Sequence, residues 1–343
     1  MRVLIVTPAP PGSRSGNRVT ALRWARVLRG LGHEAPIATS FERQRCDLMV
    51  ALHARRSRDS ILRFRRRWPE RPLILALTGT DLYGDIRTDA GARDSLERAD
   101  RLIVLQEAGA AELPERLRSR ARVIVQSLRA PRRASRPVRS AFQVCVLGHL
   151  RSVKDPLRTA AASRRLPPES RLRVVQAGGA LEEREALRAR REEDRNERYR
   201  WVGELPRWQA LRLLGRSHLL ALTSRMEGGA NVVCEALALG VPVVSSEISG
   251  SIGLLGSAYP GYFPVGDTGA LAALLSRAET DAAFYERLRQ ACRERASLVD
   301  PERESEAWSD LLAELRAGTE PPEASLAGPD SCRHAAAHPG EKH

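Results

Sequence analysis

Residues 223–244 read TSRMEGGANVVCEALALGVPVV. The apolar run just before them, Leu219–Leu222, reads as a buried parallel strand. A polar turn with adjacent glycines, Gly228 and Gly229, follows. Glycine lets a backbone approach a ligand closely and take up positive φ. The next segment, Asn231 to Leu239, predicts a helix stopped by Gly240 and Pro242. Its first-turn N–H groups lack intrahelical acceptors and suit a phosphate. Glu227 in the turn and Glu235 on the helix bracket this element. Carboxylates there are poor partners for phosphate but strong acceptors for sugar or ribose hydroxyls. A phosphate cradle with two hydroxyl acceptors fits a nucleotide sugar.

Working outward, strand-like runs alternate with helical patterns, which predicts parallel α/β sheets. In the first half the strands fall at 3–6, 48–52, 73–77, 102–105 and 123–125, and in the second at 142–147, 171–176, 199–202, 218–222, 241–245 and 262–265. Ligands of such sheets bind beyond the carboxyl ends of strands. After the first strand come Gly12, Arg14, Gly16, Asn17 and Arg18, leading into a helix over 19–30. That loop reads as an anion site or as a plain strand-to-helix turn. After the second come His53, Arg55 and Arg56; His53 reads equally as a site residue or a packed histidine. After the third comes TGTD, Thr78 to Asp81, in which Asp81 serves either the site, beside Thr80, or the cap of a short helix.

Residues 129–140 hold two prolines and five arginines and read as an interdomain linker. The predicted organisation is an acceptor domain over 1–130, a linker over 131–140 and a donor domain over 141–300. A terminal helix over 301–317 and a disordered tail over 318–343, rich in Pro, Ala and Gly, complete it. A helical stretch over 270–297 closes the second domain.

The chain has 343 residues and a formal net charge of +14. Of its 56 basic residues all but Lys154 and Lys342 are Arg, spread among acids. This reads as a composition bias toward Arg more than one basic stripe. Aromatics at 4% leave few stacking platforms for single strands, so no nucleic-acid partner is expected. In a chain that writes Arg almost everywhere, Lys154 points to a site wanting a compact charge, with chance as the alternative. Five scattered cysteines (Cys46, Cys145, Cys234, Cys292, Cys332) form no CxxC pair, which fits a reducing cytoplasm. No apolar stretch approaches transmembrane length, so no stable membrane insertion is expected. The sequence carries no D-x-D, no zinc-spaced Cys/His cluster and no Walker loop, so no metal or bound cofactor is expected.

The segment EGGANVVCE, continued by ALALGVPVV, resembles the E-x7-E element of the family 4 GT-B glycosyltransferases. This implies two Rossmann-like parallel-sheet domains facing across a cleft, with Glu227 toward the donor sugar and Glu235 on the nucleotide ribose. Gly228, Gly229, Ala230 and Asn231 complete the donor element. GHLRSVKDP, residues 148–156, resembles the family's diphosphate-binding loop. Lys154 matches its lysine, His149 stands where Arg is usual, and Arg151 is the favoured second cation. The expected catalytic set is therefore Lys154, Arg151 and Glu227. Gly178 permits close approach of the donor, and Trp201, in a segment resembling the family's base-bordering strand, packs either there or in the core.

In the first domain TPAPPGSRSGNRVT (7–20), ALHARRS (51–57) and LTGTDLY (77–83) resemble the selenosugar synthases of selenoneine biosynthesis, an offshoot of family 4. That resemblance implies transfer from a UDP-sugar, UDP-N-acetylglucosamine, to selenophosphate, with the UDP-sugar as substrate and no metal. The acceptor set is Gly12, Gly16, Asn17, Arg18, His53, Arg56, Thr80 and Asp81. The rivals are a family 4 enzyme with a hydroxyl acceptor, a GT-B-fold epimerase and a basic nucleic-acid-binding protein. Oligomeric state stays open.

Overall fold

The structure, a computed structural model, describes residues 1–129 and 136–317. The predicted tail and residues 131–135 of the linker lie outside them. The first domain comprises β1 (Val3–Val6), α1 (Gly16–Gly30), β2 (Ile37–Ala38), β3 (Leu48–Leu52), α2 (Arg58–Arg67), β4 (Leu73–Leu77), α3 (Ile86–Thr88), α4 (Ala90–Arg98), β5 (Arg101–Val104) and β6 (Ala121–Val123). The second comprises β7 (Phe142–Leu147), α5 (Arg158–Ser163), β8 (Leu172–Ala177), α6 (Glu183–Arg195), β9 (Tyr199–Trp201), α7 (Arg207–Gly215), β10 (Leu219–Leu222), α8 (Asn231–Leu239), β11 (Val243–Ser246), α9 (Ser249–Leu255), β12 (Tyr262–Phe263), α10 (Thr268–Thr280) and α11 (Ala282–Arg295). A last helix, α12 (Pro301–Ala317), follows.

Each domain is an α/β layer structure around a six-stranded sheet, ordered β2-β1-β3-β4-β5-β6 in the first and β12-β11-β10-β7-β8-β9 in the second. All pairings are parallel. β1, β3, β4 and β10 are buried along their whole length, which is why they read as unbroken apolar runs rather than alternating ones.

Three differences from the sequence reading have local causes. β2 is only two residues long, follows Pro36, and left no periodic signal. α1 begins three residues earlier than its apolar pattern, because the Ser15 carbonyl already accepts from Arg18 N–H (3.0 Å) and Val19 N–H (3.1 Å). Gly16, Asn17 and Arg18 are thus first-turn residues, not loop. The stretch over 270–297 is two helices, because the Asp281 carboxylate accepts from Phe284 N–H at 2.9 Å and caps a new one.

α12 packs on the first domain. Trp308 meets Trp24 of α1 edge-to-face at 5.0 Å, and Leu311, Leu312 and Leu315 join the same buried cluster as Val3 and Ile5. Glu304, 2% exposed, is the polar centre of this contact. Its carboxylate accepts from Trp24 Nε1 (2.9 Å), Ser127 N–H (3.0 Å) and the Ser127 hydroxyl, and lies 3.3 Å from Arg23 Nε. Arg23 also donates to Ser127 O (3.2 Å) and, across the domain boundary, to Asn231 Oδ1 (3.0 Å). One guanidinium therefore joins α1, the crossing segment, α12 and the start of α8.

Removing one partner of a buried ion pair strands the other charge. Glu304→Ala should lower unfolding free energy by about 3–5 kcal/mol in chemical denaturation, and the double variant Arg23→Leu/Glu304→Leu should recover much of that loss. Equal stability of Glu304→Ala and the unmodified protein would show that the pair bears no load.

Candidate functional site

The site gathers at the carboxyl ends of the strands, where the two sheets face each other. β7 and β10 are neighbours in the second sheet although 73 residues separate Lys154 from Glu227. Their loops are stitched together. The Thr223 hydroxyl donates to the carbonyls of Lys154 (3.0 Å) and Asp155 (2.9 Å), and Arg225 N–H donates to Val153 O at 2.8 Å. The result is a direct contact of Lys154 Nζ with the Glu227 carboxylate, which also accepts from the Ser224 hydroxyl at 2.6 Å. Ser224 in turn receives the Ser246 hydroxyl on its carbonyl at 2.6 Å.

Glu235 lies at the start of the second turn of α8, 7% exposed, with Arg207 of α7 at 2.9 Å. Burial pushes its carboxyl above the ordinary range, against the pull of Arg207 and Arg23. Arg207 has no counterpart in the sequence reading; it sits at the first position of α7, behind Pro206, and no spacing ties it to Glu235.

The two glycines of the turn serve a contact between the domains. Neither Gly228 nor Gly229 is among the positive-φ residues. A Cβ on Gly228 would lie 2.6 Å from Gly79 N, and one on Gly229 2.4 Å from Leu105 Cβ. Both contacts are with the first domain. The bare backbone is what lets the turn seat against it. Gly178 likewise packs on backbone, a Cβ there falling 1.9 Å from the Gly148 carbonyl oxygen. Trp201 is partly buried against the second core, and its Nε1 donates to Gly178 O at 2.8 Å. His149 stands beside Gly179 with a buried Nδ1 that lacks a partner. Ala230 is buried as the residue before α8, and Asn231 begins that helix, with its amide 3.7 Å from where a Cβ on Gly16 would stand.

On the first-domain side, His53 directly follows β3 with φ 76°, a left-handed conformation costly for a non-glycine residue. Its ring lies 3.4 Å from Thr80 Oγ1, 4.0 Å from Asp81 and 3.8 Å from Asp85. Burial lowers its pKa, although Asp81 and Asp85 pull the other way, so the imidazole is neutral near pH 7. Asp81, fully buried, accepts from the N–H groups of Ala54 (3.0 Å), Thr78 (3.1 Å) and Gly79 (2.8 Å). Its carboxylate thus shapes the loops after β3 and β4 and lies inside a π-helical turn, Asp81–Asp85, rather than capping it. Arg55 is paired with Asp85 at 3.2 Å. The side chains of Arg18, Arg56 and Arg151 have no ion-pair or hydrogen-bond partner among the described residues. Gly12 has φ 82° and opens the loop, and Arg14 spans the cleft to Glu204 at 3.6 Å. Gln106 and Tyr83, bonded at 3.0 Å, also line the boundary, with Tyr83 Oη 3.5 Å from Ser249 Oγ. Gln106 gave no sequence signal and Tyr83 stood only at the end of the LTGTDLY segment; both are brought there by the packing of the domains.

Among the described residues no group of three or more His, Cys, Asp or Glu could hold a metal ion, and no helix is long and apolar enough to cross a membrane. The four described cysteines are free and buried.

Two facing parallel-sheet domains with this strand order form the GT-B fold. HepE of Anabaena in complex with UDP and glucose superposes with a TM-score of 0.74 at 15% identity, over 92% of this chain and 100% of that one. Sucrose-phosphate synthase of Thermosynechococcus elongatus gives 0.75 at 16% identity, over 93% and 99%. A glycosyltransferase of Rickettsia africae gives 0.67 at 13%, over 92% and 98%. Residues 131–296 match the family model Glycosyl transferases group 1. No curated protein matches the chain.

Overpacking at a domain contact is destabilising. Gly228→Ala should cost about 1–3 kcal/mol, read as a lowered melting temperature, because its methyl meets the Gly79 backbone rather than a movable side chain. A Gly84→Ala control, with open space around it, should have a much smaller effect.

Proposed function

We propose that the chain transfers a sugar, N-acetylglucosamine, from its UDP-sugar to selenophosphate, giving a 1-selenosugar for selenoneine biosynthesis. The observation that carries the transferase reading is the Lys154–Glu227 contact beside a buried Glu235 on α8. The α8 N-terminus and Lys154 suit a diphosphate, Glu235 suits ribose hydroxyls, and Glu227 suits a donor-sugar hydroxyl. The ligands bound to HepE, UDP and glucose, are consistent with such a donor.

The acceptor reading rests on charge. Arg18 and Arg56 lie on the acceptor side without partners, and arginines there repel one another unless an anion offsets them. A neutral hydroxyl acceptor needs no such charge. Selenium of selenophosphate is already nucleophilic, so no general base is required. Its lone pair attacks the anomeric carbon as the carbon–oxygen bond to the diphosphate breaks and UDP leaves. Water then cleaves the P–Se bond of the adduct, releasing phosphate and the selenosugar. Lys154 and Arg151 stabilise the departing diphosphate, and positioning supplies the rest.

A second reading, a hydroxyl acceptor, is favoured by His53. A neutral buried imidazole with Asp85 at 3.8 Å could take a hydroxyl proton.

Product analysis separates these readings, and the donor-site measurements test what they share. UDP-sugars incubated with and without selenophosphate, with products identified by mass, should show a selenosugar only when both are present; a product formed on a sugar hydroxyl instead would favour the second reading. Lys154→Ala should cut turnover by about 10²–10³ while melting temperature stays close to wild type. Glu235→Gln should weaken UDP binding by about 1–3 kcal/mol. Because burial raises the Glu235 pKa, UDP affinity of the unmodified protein should begin to fall above the usual carboxylate range on acidification, as the carboxylate is protonated and lost as an acceptor. Glu235→Gln should lack that step.

A further inference from the structure

α6 carries an arginine stripe. Arg184, Arg188, Arg191 and Arg195 recur at spacings of four, three and four, which sets them on one helical face. Between that face and α5 lies a cavity of about 380 Å³. Five guanidiniums line it, those of Arg158, Arg164, Arg188, Arg191 and Arg195. Only two carboxylates answer them from the wall, Asp155 and Glu192. Glu192, 1% exposed, is shared by Arg164 at 3.2 Å and by Arg195. Asp155 holds Arg158 at 2.7 Å and is shared with Arg225 at 3.8 Å. Arg188 reaches Glu185 at 3.2 Å. Arg191 has no ion-pair or hydrogen-bond partner among the described residues.

These acids do two things. Asp155, Glu185 and Glu192 hold the forks of Arg158, Arg164, Arg188 and Arg195, which lowers the ordering cost of binding. They also fall short of neutralising the wall, so the cavity stays positive. A positive, preorganised cavity lined by planar forks matches phosphoryl oxygens, which such forks bind in pairs. Its volume suits a small molecule.

We propose that this cavity binds a small compound carrying two or more phosphoryl groups, with Arg191, Arg164 and Arg195 as its principal contacts. The site is separate from the cleft between the domains: none of the lining residues belongs to the donor or acceptor sets. It adjoins the cleft at one point, since Asp155 follows Lys154 and offers its carbonyl to Thr223 at 2.9 Å. The inference does not depend on the proposed reaction.

The test is calorimetric titration of the full-length protein with inorganic tripolyphosphate, and with ATP, which carries the same chain of phosphoryl groups on a nucleoside. Saturable, salt-sensitive binding is expected, and tighter binding of one probe names the source. Arg191→Glu should weaken it by at least about tenfold, the order lost with a charge-assisted contact. Arg191 has no partner to strand, so melting temperature should hold; Arg191→Ala, with a smaller loss, serves if the reversal unfolds. Lys154→Ala, which removes a cation of the cleft, should leave the affinity unchanged. Equal affinity in the unmodified protein and folded Arg191→Glu overturns the proposal, as does loss of binding in Lys154→Ala. Displacement of tripolyphosphate by far tighter binding of a short single-stranded RNA would also overturn it, in favour of a nucleic-acid surface.

Discussion

The buried pair of Arg23 and Glu304 is the constraint on which the two-domain arrangement depends. A guanidinium and a carboxylate without water each need several hydrogen bonds, and a buried charge left without them is costly. Here the partners come from α1, from the crossing segment at Ser127, from α12 and from Asn231 at the head of α8. Four segments from both domains must be in place together for either charge to be satisfied. The apolar contact of Trp24 with Trp308 supplies area, and the ion pair supplies position.

That position matters because the site is divided. Lys154, Glu227 and Glu235 belong to the second domain, while His53, Arg18 and Arg56 belong to the first. Their separation depends on how closely the sheets face each other. The limit is set at Gly228 and Gly229, where the turn lies against Gly79 and Leu105 with no side chain between. The glycines thus set the domain spacing.

Electrostatics divide the same way. The second-domain side is nearly balanced, with Lys154 on Glu227 and Arg207 on Glu235. Under the proposed reaction a diphosphate there would share a cation already held by a carboxylate, which favours a ligand that also offers hydroxyls to that carboxylate. The first-domain side leaves Arg18 and Arg56 unanswered while the acids Asp81 and Asp85 are engaged by backbone N–H groups, His53 and Arg55. A nearly neutral region facing a positive one suits two ligands of different charge.

What the sequence determined on its own is what local spacing carries. The apolar runs gave the buried parallel strands because both faces of such strands are covered. The bounds of α8 and α12 were legible because Gly240 and Pro301 mark a stop and a start in the chain itself. Glu227 and Glu235 stood out by their spacing around a glycine turn, and Lys154 by its rarity among arginines. The tertiary structure alone decided who meets whom. Lys154 reaches Glu227 because β7 and β10 are neighbours in the sheet, and Arg23 reaches Asn231, 208 residues away, because the domains close on each other. It also decided that Asp81 organises two loops, that Gly228 and Gly229 face the other domain, and that the arginines of α6 share a wall with those of α5. Each of these is a contact between segments remote in sequence, and no periodicity within a segment encodes the identity of its partner.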